Sequence, residues 1–417
     1  MFRQMRAGLI EGVSALKSAD YQQFSVSLLA TQMGASTLQT VTLWQVFQMT
    51  GNPLALGLTG LARAVPHITL SLVGGVIADR VNRIRLIQAG QVANAVLALA
   101  LAALTLSGAV DVWHLYAVTF LNAAFTAVTQ PARTAMIPTL VPSASLVNAI
   151  ALSSTIQQMA QIVGPAVAGA AIGIFDLGGT YVVNSVCYVV GVGALARIRT
   201  RATMRFSTDS PWESLLEGLR FVQRKPVIVS LLALDLGQTL FGSYRPLLPI
   251  LATTLSVGPE GYGLLSAAPG VGSLVGAAGI LSLGDMRYKG LFTVFGVLWY
   301  CVALVMLAVS PWFWLSLLAS GALGSANSVQ MIPRNSAILA MTPDALRGRV
   351  ESFRSMVAGG GPPLGFALAG AAAAAVGVGA ALVLGAGACA LSVAGIALAR
   401  RELRDPDLGS VSESARA

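Results

Sequence analysis

Hydrophobic residues run along this chain in long blocks separated by short polar punctuation. Twelve blocks approach or exceed the ~20 residues needed to cross the hydrocarbon core of a bilayer. They fall near 23–48, 54–79, 86–107, 113–138, 145–174 and 179–196, then 226–251, 261–284, 290–310, 313–334, 350–376 and 378–399. The pattern predicts an all-α membrane protein with twelve transmembrane helices in two six-helix bundles, 23–196 and 226–399. An even number of spans puts both termini on the same side.

The polar stretches have their own organisation. In residues 1–22, Met5, Leu9, Val13 and Leu16 recur at helical spacing among Arg3, Arg6 and Lys17, which predicts an amphipathic helix on the inner leaflet. Residues 197–225 form the longest interruption, and 400–417 form a polar tail. Within the interruption, Ser210-Pro211-Trp212-Glu213 has the form of a capping box with proline at the first helical position. Trp212, Leu215, Leu216, Leu219 and Val222 follow as an apolar stripe, so a surface helix is expected between the bundles. A gapless shift of 201 residues pairs Arg133 with Arg334, Pro142 with Pro343, Gly164 with Gly365 and Gly169 with Gly370. Parallel halves of this kind are a known transporter architecture.

Composition narrows the class. Of 417 residues, 55% are hydrophobic and only 10% are charged, against about 25% charged in a soluble domain. A soluble enzyme, a nucleic-acid binder and a secreted scaffold are excluded. The net charge of +9 does not signal nucleic acid, because of where the charges lie. Twenty-four of the 26 Lys and Arg residues, Arg133 and Arg334 among them, map to one side of the predicted topology. The opposite loops carry only Asp111, Asp176 and Glu260. Positive charge concentrated on one side places both termini in the cytoplasm. Arg63 and Arg245 are left inside spans.

Between the second and third spans the chain reads Gly74-Gly75-Val76-Ile77-Ala78-Asp79-Arg80-Val81-Asn82-Arg83-Ile84-Arg85. This resembles motif A of the major facilitator superfamily, matched at Gly75, Asp79, Arg80 and Arg83. Asn82 replaces the motif's second glycine, and asparagine tolerates left-handed backbone. Gly164-Pro165-Ala166-Val167-Ala168-Gly169 is similar to motif C of that superfamily's exporters, a kinked helix packed through small residues. Further stretches, among them Thr50 to Gly57, Pro131-Ala132-Arg133 and Arg347-Gly348-Arg349-Val350, resemble the group containing the enterobactin exporter and macrolide-efflux proteins. The fourth span lacks the mid-helix arginine of many proton-coupled drug antiporters.

The resemblance implies an exporter of an amphiphilic small molecule, a siderophore, macrolide or other secondary metabolite, working by alternating access. A lysophospholipid transporter of the same fold is the alternative. A monomer surrounded by lipid in the bacterial cytoplasmic membrane is expected, with protons as counter-ion and neither cofactor nor nucleic acid. Motif A would hold the cytoplasmic gate. Spans 1, 4, 7 and 10 line the cavity in this superfamily. Their polar stripes are Gln32, Ser36 and Gln39; Asn122, Thr126 and Gln130; Gln238, Phe241 and Arg245 with Asp235; and Asn327 with Gln330.

No Gly-Lys-Ser/Thr phosphate loop exists, since Lys17, Lys225 and Lys289 follow Leu16, Arg224 and Tyr288. Transport must then draw on a gradient. Of the 17 acidic residues, Asp235 alone lies deep in a span, ~14 Å from its cytoplasmic end at 1.5 Å per residue. Burial disfavours its charged form, while a nearby arginine favours it. Asp235 is therefore the expected proton-coupling site, with Arg63 of span 2 as the cation nearest in depth. A permanent structural ion pair is the competing expectation.

Overall fold

The computed structural model describes residues 14–199, 211–284, 288–343, 346–400 and 402. The expected amphipathic segment before Ser14, the Ser210 cap, Asp285 and the tail after Glu402 lie outside the described residues, as does the side chain of Asp79. Among the described residues all regular structure is helical.

Span 1 is Ala19–Thr50, span 2 Pro53–Arg80, span 3 Arg83–Leu106 and span 4 Val112–Leu140. Spans 5 and 6 share the run Leu146–Ala196, broken only at Asp176. The linker helix is Pro211–Gln223. Span 7 starts as Pro226–Phe241, followed by span 8, Gly258–Ser282, and span 9, Lys289–Ala308. Span 10 is Phe313–Met341, span 11 Arg347–Val376 and span 12 Val378–Ala399. Among the described residues, eight helical stretches are long and apolar enough to cross a membrane, the double-length Ser143–Ala196 being one of them. Spans 1, 2 and 10 are of similar length.

The turns follow from local chemistry. Between spans 1 and 2, Gly51 takes φ +60° and the Asn52 Oδ1 accepts from Leu54 N at 2.9 Å, with Pro53 opening the helix. Asn82 does not use the left-handed backbone allowed for it. It lies at φ −64°, ψ 115° and caps span 3, its Oδ1 accepting from Arg85 N at 3.2 Å. Asp111 and His114 form a capping box at the start of span 4, in which Asp111 N donates to His114 Nδ1 at 2.9 Å. Asp176 turns span 5 into span 6 at φ 58°, and Gly377, one repeat later, turns span 11 into span 12 at φ 83°.

Span 7 departs from the expected single helix. It stops at Phe241, passes through Gly242 to Tyr244 without helix, and resumes as a short turn, Arg245–Leu247, and a helix, Leu248–Thr254. The Tyr300 hydroxyl donates to Gly242 O at 2.8 Å, satisfying a carbonyl freed by the break. Arg245 therefore does not lie on the same helix as Asp235.

The chain divides into two compact units, residues 1–45 with 65–208, and 46–64 with 209–417. The first part of span 2 thus clusters with the second unit, where a methyl group on Gly57 would lie 3.0 Å from Gly370 Cα. In the first unit, Tyr21, Phe24 and Leu28 pack with Ile87, Met136, Leu140 and Leu195 in a buried cluster, and Tyr21 Oη donates to Ala149 O at 2.7 Å. In the second unit, spans 8 and 10 touch backbone to backbone. A methyl on Gly272 would overlap the Gly321 carbonyl, and one on Gly276 would lie 2.5 Å from Ser325 O. Small residues permit such approach, which is how membrane helices gain packing when lipid offers no hydrophobic drive. The linker helix also belongs to this unit: Glu217 pairs with Arg349, and Val222 is buried.

Candidate transport site

In the second unit two helices face each other through polar side chains at helical spacing. Span 7 presents Asp235 and Gln238, and span 10 presents Asn327, Gln330 and Arg334. Residues three and four apart share a helix face, so the two antiparallel rows meet rung by rung. Gln238 Nε2 reaches Asn327 Oδ1 at 3.5 Å, and Gln330 Nε2 reaches Asp235 Oδ1 at 3.4 Å. Arg334 forms an ion pair with Asp235 and also donates to Gln330 Oε1 at 3.2 Å. The pair is secluded, with 3% and 14% side-chain exposure for Arg334 and Asp235. Arg354 of span 11, held by Glu351, adds its field at Asp235.

Two expectations change here. A charge count along the sequence groups Arg133 and Arg334 with the cytoplasmic-side cations. Both lie within helices and are buried, at 9% and 2% exposure. The cation against Asp235 is supplied by Arg334, the role that depth alone gives to Arg63. Arg63 lies on span 2 in the stretch that clusters with the second unit, and its side chain is exposed. Phe241 and Arg245 end the span 7 row at the helix break, both exposed, with Arg245 engaging the Tyr244 hydroxyl.

In the first unit the predicted stripes are spent mainly on contacts between helices. Gln32 Nε2 donates to Gln157 Oε1 of span 5 at 3.4 Å. Asn122 Nδ2 donates to Asn94 Oδ1 at 3.0 Å and to the Tyr188 hydroxyl at 3.2 Å. Ser36, Gln39 and Thr126 are half-buried, and Gln130 is exposed. Gln91, which the sequence did not single out, donates to Ser27 Oγ at 2.9 Å and Thr31 Oγ1 at 2.7 Å. Each such bond is worth about 1 kcal/mol in a membrane.

The motif residues are placed as follows. Gly75 would carry a methyl group with nothing within 4 Å, whereas one on Gly74 would lie 2.7 Å from Ala127 O of span 4. The close approach within this unit is therefore made by Gly74, one residue before the motif position. Arg83 donates to Ala135 O at 3.2 Å, tying the start of span 3 to the end of span 4, and Arg80 is exposed. Gly164 and Pro165 are buried against span 1: a methyl on Gly164 would lie 2.6 Å from Ser36 Cβ, and Thr37 Oγ1 donates to Gly164 O at 3.2 Å. Gly169 is buried one turn on.

A family model described as transmembrane secretion effector matches residues 12–416. The multidrug efflux pump Tap of Mycolicibacterium fortuitum is 27% identical over 78% of this chain and 82% of its own. The enterobactin exporter of Escherichia coli is 23% identical over 80% and 78%. The staphyloferrin A transporter of Staphylococcus aureus is 24% identical over 64% and 67%. A match at 26% identity to the uncharacterized transporter YfiS of Bacillus subtilis spans about half of each, 50% of this chain and 51% of that one. Among solved structures, the nucleoside transporter NupG superposes with a TM-score of 0.68 over 91% of this chain and 98% of its own, at 13% identity. A bacterial homologue of the human lysosomal transporter Spinster gives 0.70 over 92% and 97%, at 16% identity. At such identities the structural likeness shows the fold.

Proposed function

We propose, from the premise that this chain belongs to the transmembrane secretion effector family of the major facilitator superfamily, that it is a proton-coupled exporter of an amphiphilic small molecule. Family and fold are those of multi-pass membrane transporters rather than enzymes. The observation that carries the finer reading is the Asp235–Arg334–Gln330 cluster, an ionisable group buried between two helices of one unit.

The Asp235 carboxylate is paired with Arg334. When helix movement draws the two apart, desolvation favours the neutral acid, and Asp235 takes up a proton. Return of Arg334 expels it. Binding and release of cargo bias that equilibrium by their differing affinity for the two states. In this reading both termini are cytoplasmic, the outward step exports cargo, and the inward step carries the proton. Relatives named for enterobactin, staphyloferrin A and multidrug efflux support a cargo of siderophore or drug type.

Cells with and without the protein are compared first for accumulation of a siderophore, a macrolide and a lysophospholipid. The cargo so found is then added to proteoliposomes bearing an imposed pH gradient. Wild type should dissipate the gradient, and Asp235→Asn should not. Unchanged proton movement in Asp235→Asn with cargo still transported would remove the coupling role.

A further inference from the structure

The repeat leaves one buried charge unmatched. Arg334 on span 10 has Asp235, but Arg133, its repeat-mate on span 4, has no carboxylate among the described residues. Arg133 is 9% exposed, its Nε meets no acceptor, and no hydrogen bond or ion pair engages its guanidinium among the described residues. The titratable group in its electrostatic reach is the Tyr188 phenol.

Contacts with the last span of each unit show what stands in place of the acid. In the first unit Asn184 donates to Gly34 O; one repeat later, Gly385 packs on Phe241 O. Gly191 packs on Thr31, and its repeat-mate Ser392 packs on Gly237. Counting back from Phe241 to Asp235 lands opposite Leu28; counting back from Gly237 lands opposite Leu29. Leu28 is 6% exposed and sits in the apolar cluster with Ala132 and Met136, the neighbours of Arg133 on span 4. The first unit has hydrocarbon where the second has a carboxylate.

An arginine cannot shed its charge, and its five N–H donors form a planar fork that fits a carboxylate. Burying it without a partner is heavily penalised, and intramembrane ionisable groups mark binding sites by default. A polar track continues from it along the same helix: the Tyr188 hydroxyl accepts from Asn122, three turns before Arg133, and Asn122 also donates to Asn94.

We infer that Arg133, with the Tyr188 phenol in its electrostatic reach, receives an acidic group of the cargo, a carboxylate or similar oxyanion on an amphiphile. The ligand's anion does in the first unit what Asp235 does in the second. The assignment names the cargo class for the exporter reading and rests on that reading only for the word cargo.

The probes are 1-pyrenebutyrate and its methyl ester, which share a skeleton and differ in charge. Binding is titrated by fluorescence to the full chain in nanodiscs, against empty nanodiscs. Wild type should bind the acid about tenfold or more tighter than the ester, the scale of one hydrogen-bonded charge. Arg133→Gln should bring the ratio near one, while Arg133→Lys, which keeps charge without the fork, should give an intermediate ratio. Leu28→Asp, which supplies the missing acid, should also abolish the preference with Arg133 still present. A wild-type ratio near one, no binding of either probe, or a preference that survives Arg133→Gln overturns the assignment. Both probes are also followed across proteoliposome membranes. An Arg133-dependent preference without transport of either keeps the site and discards the exporter reading; transport of the ester alone does the reverse.

Discussion

Cutting the Asp235–Arg334 pair from each end should give unequal losses. In Arg334→Gln the carboxylate loses the cation but keeps Gln330 Nε2 at 3.4 Å and 14% exposure. In Asp235→Asn the stranded group is a guanidinium with 3% exposure, which retains a single bond to Gln330 at 3.2 Å and cannot discharge itself. Removing one partner of a buried pair costs about 3–5 kcal/mol. The residual water and amide place Arg334→Gln at or below that range, about 2–3 kcal/mol, and Asp235→Asn at about 3–4 kcal/mol. The double variant strands neither charge and should lose about 2–3 kcal/mol, leaving a coupling energy of about 3 kcal/mol, at the upper end for residues in contact. Reversible unfolding by dodecyl sulfate in mixed micelles measures all four corners of the cycle. Single losses that add to within ~0.5 kcal/mol would refute the reasoning, because independent sites behave that way.

Other outcomes follow from the same geometry. Asp79→Asn should cripple transport while the protein still inserts, and full efflux from a well-expressed variant would remove the gating role of motif A. Gly272→Leu should prevent accumulation of folded protein, because a side chain there overlaps a backbone carbonyl; Gly279→Leu, with nothing within 4 Å, should accumulate normally. Asn82→Ala should cost about 1 kcal/mol through loss of the span 3 cap, read by the same dodecyl sulfate titration. Asp176→Gly should raise the unfolding temperature by relieving a backbone near φ 58°, ψ −174°, a region that costs a non-glycine residue about 1–3 kcal/mol.

The spans are legible because lipid imposes both length and composition on them, and long apolar blocks have few other uses. The ends of helices are less so. Whether Asn82 takes left-handed backbone or caps a helix depends on the direction in which the chain leaves the turn, which residue identity does not fix. The break at Gly242 is hidden because Gly-Ser-Tyr-Arg-Pro is short and the flanking residues are apolar. The burial of Arg133 and Arg334 is invisible to a charge count for a clear reason: it projects each arginine onto the nearest loop, and both lie within two turns of a helix end. Their signal is present in the repeat, which matches them within helices that continue past Pro131 and Pro333. The pairing of Asp235 requires knowing which face of span 10 meets span 7. Depth alone cannot supply that rotation.

The linker helix docked on span 11 alters how the polypeptide can be divided. Of the residues joining spans 6 and 7, the thirteen of Pro211–Gln223 are fastened to the second unit. On the other side, Ile198 packs on the core of the first unit and Arg199 N donates to Asp20 Oδ1 at 3.2 Å. The division between the two units therefore falls before the linker helix rather than after it, so the helix travels with the second unit.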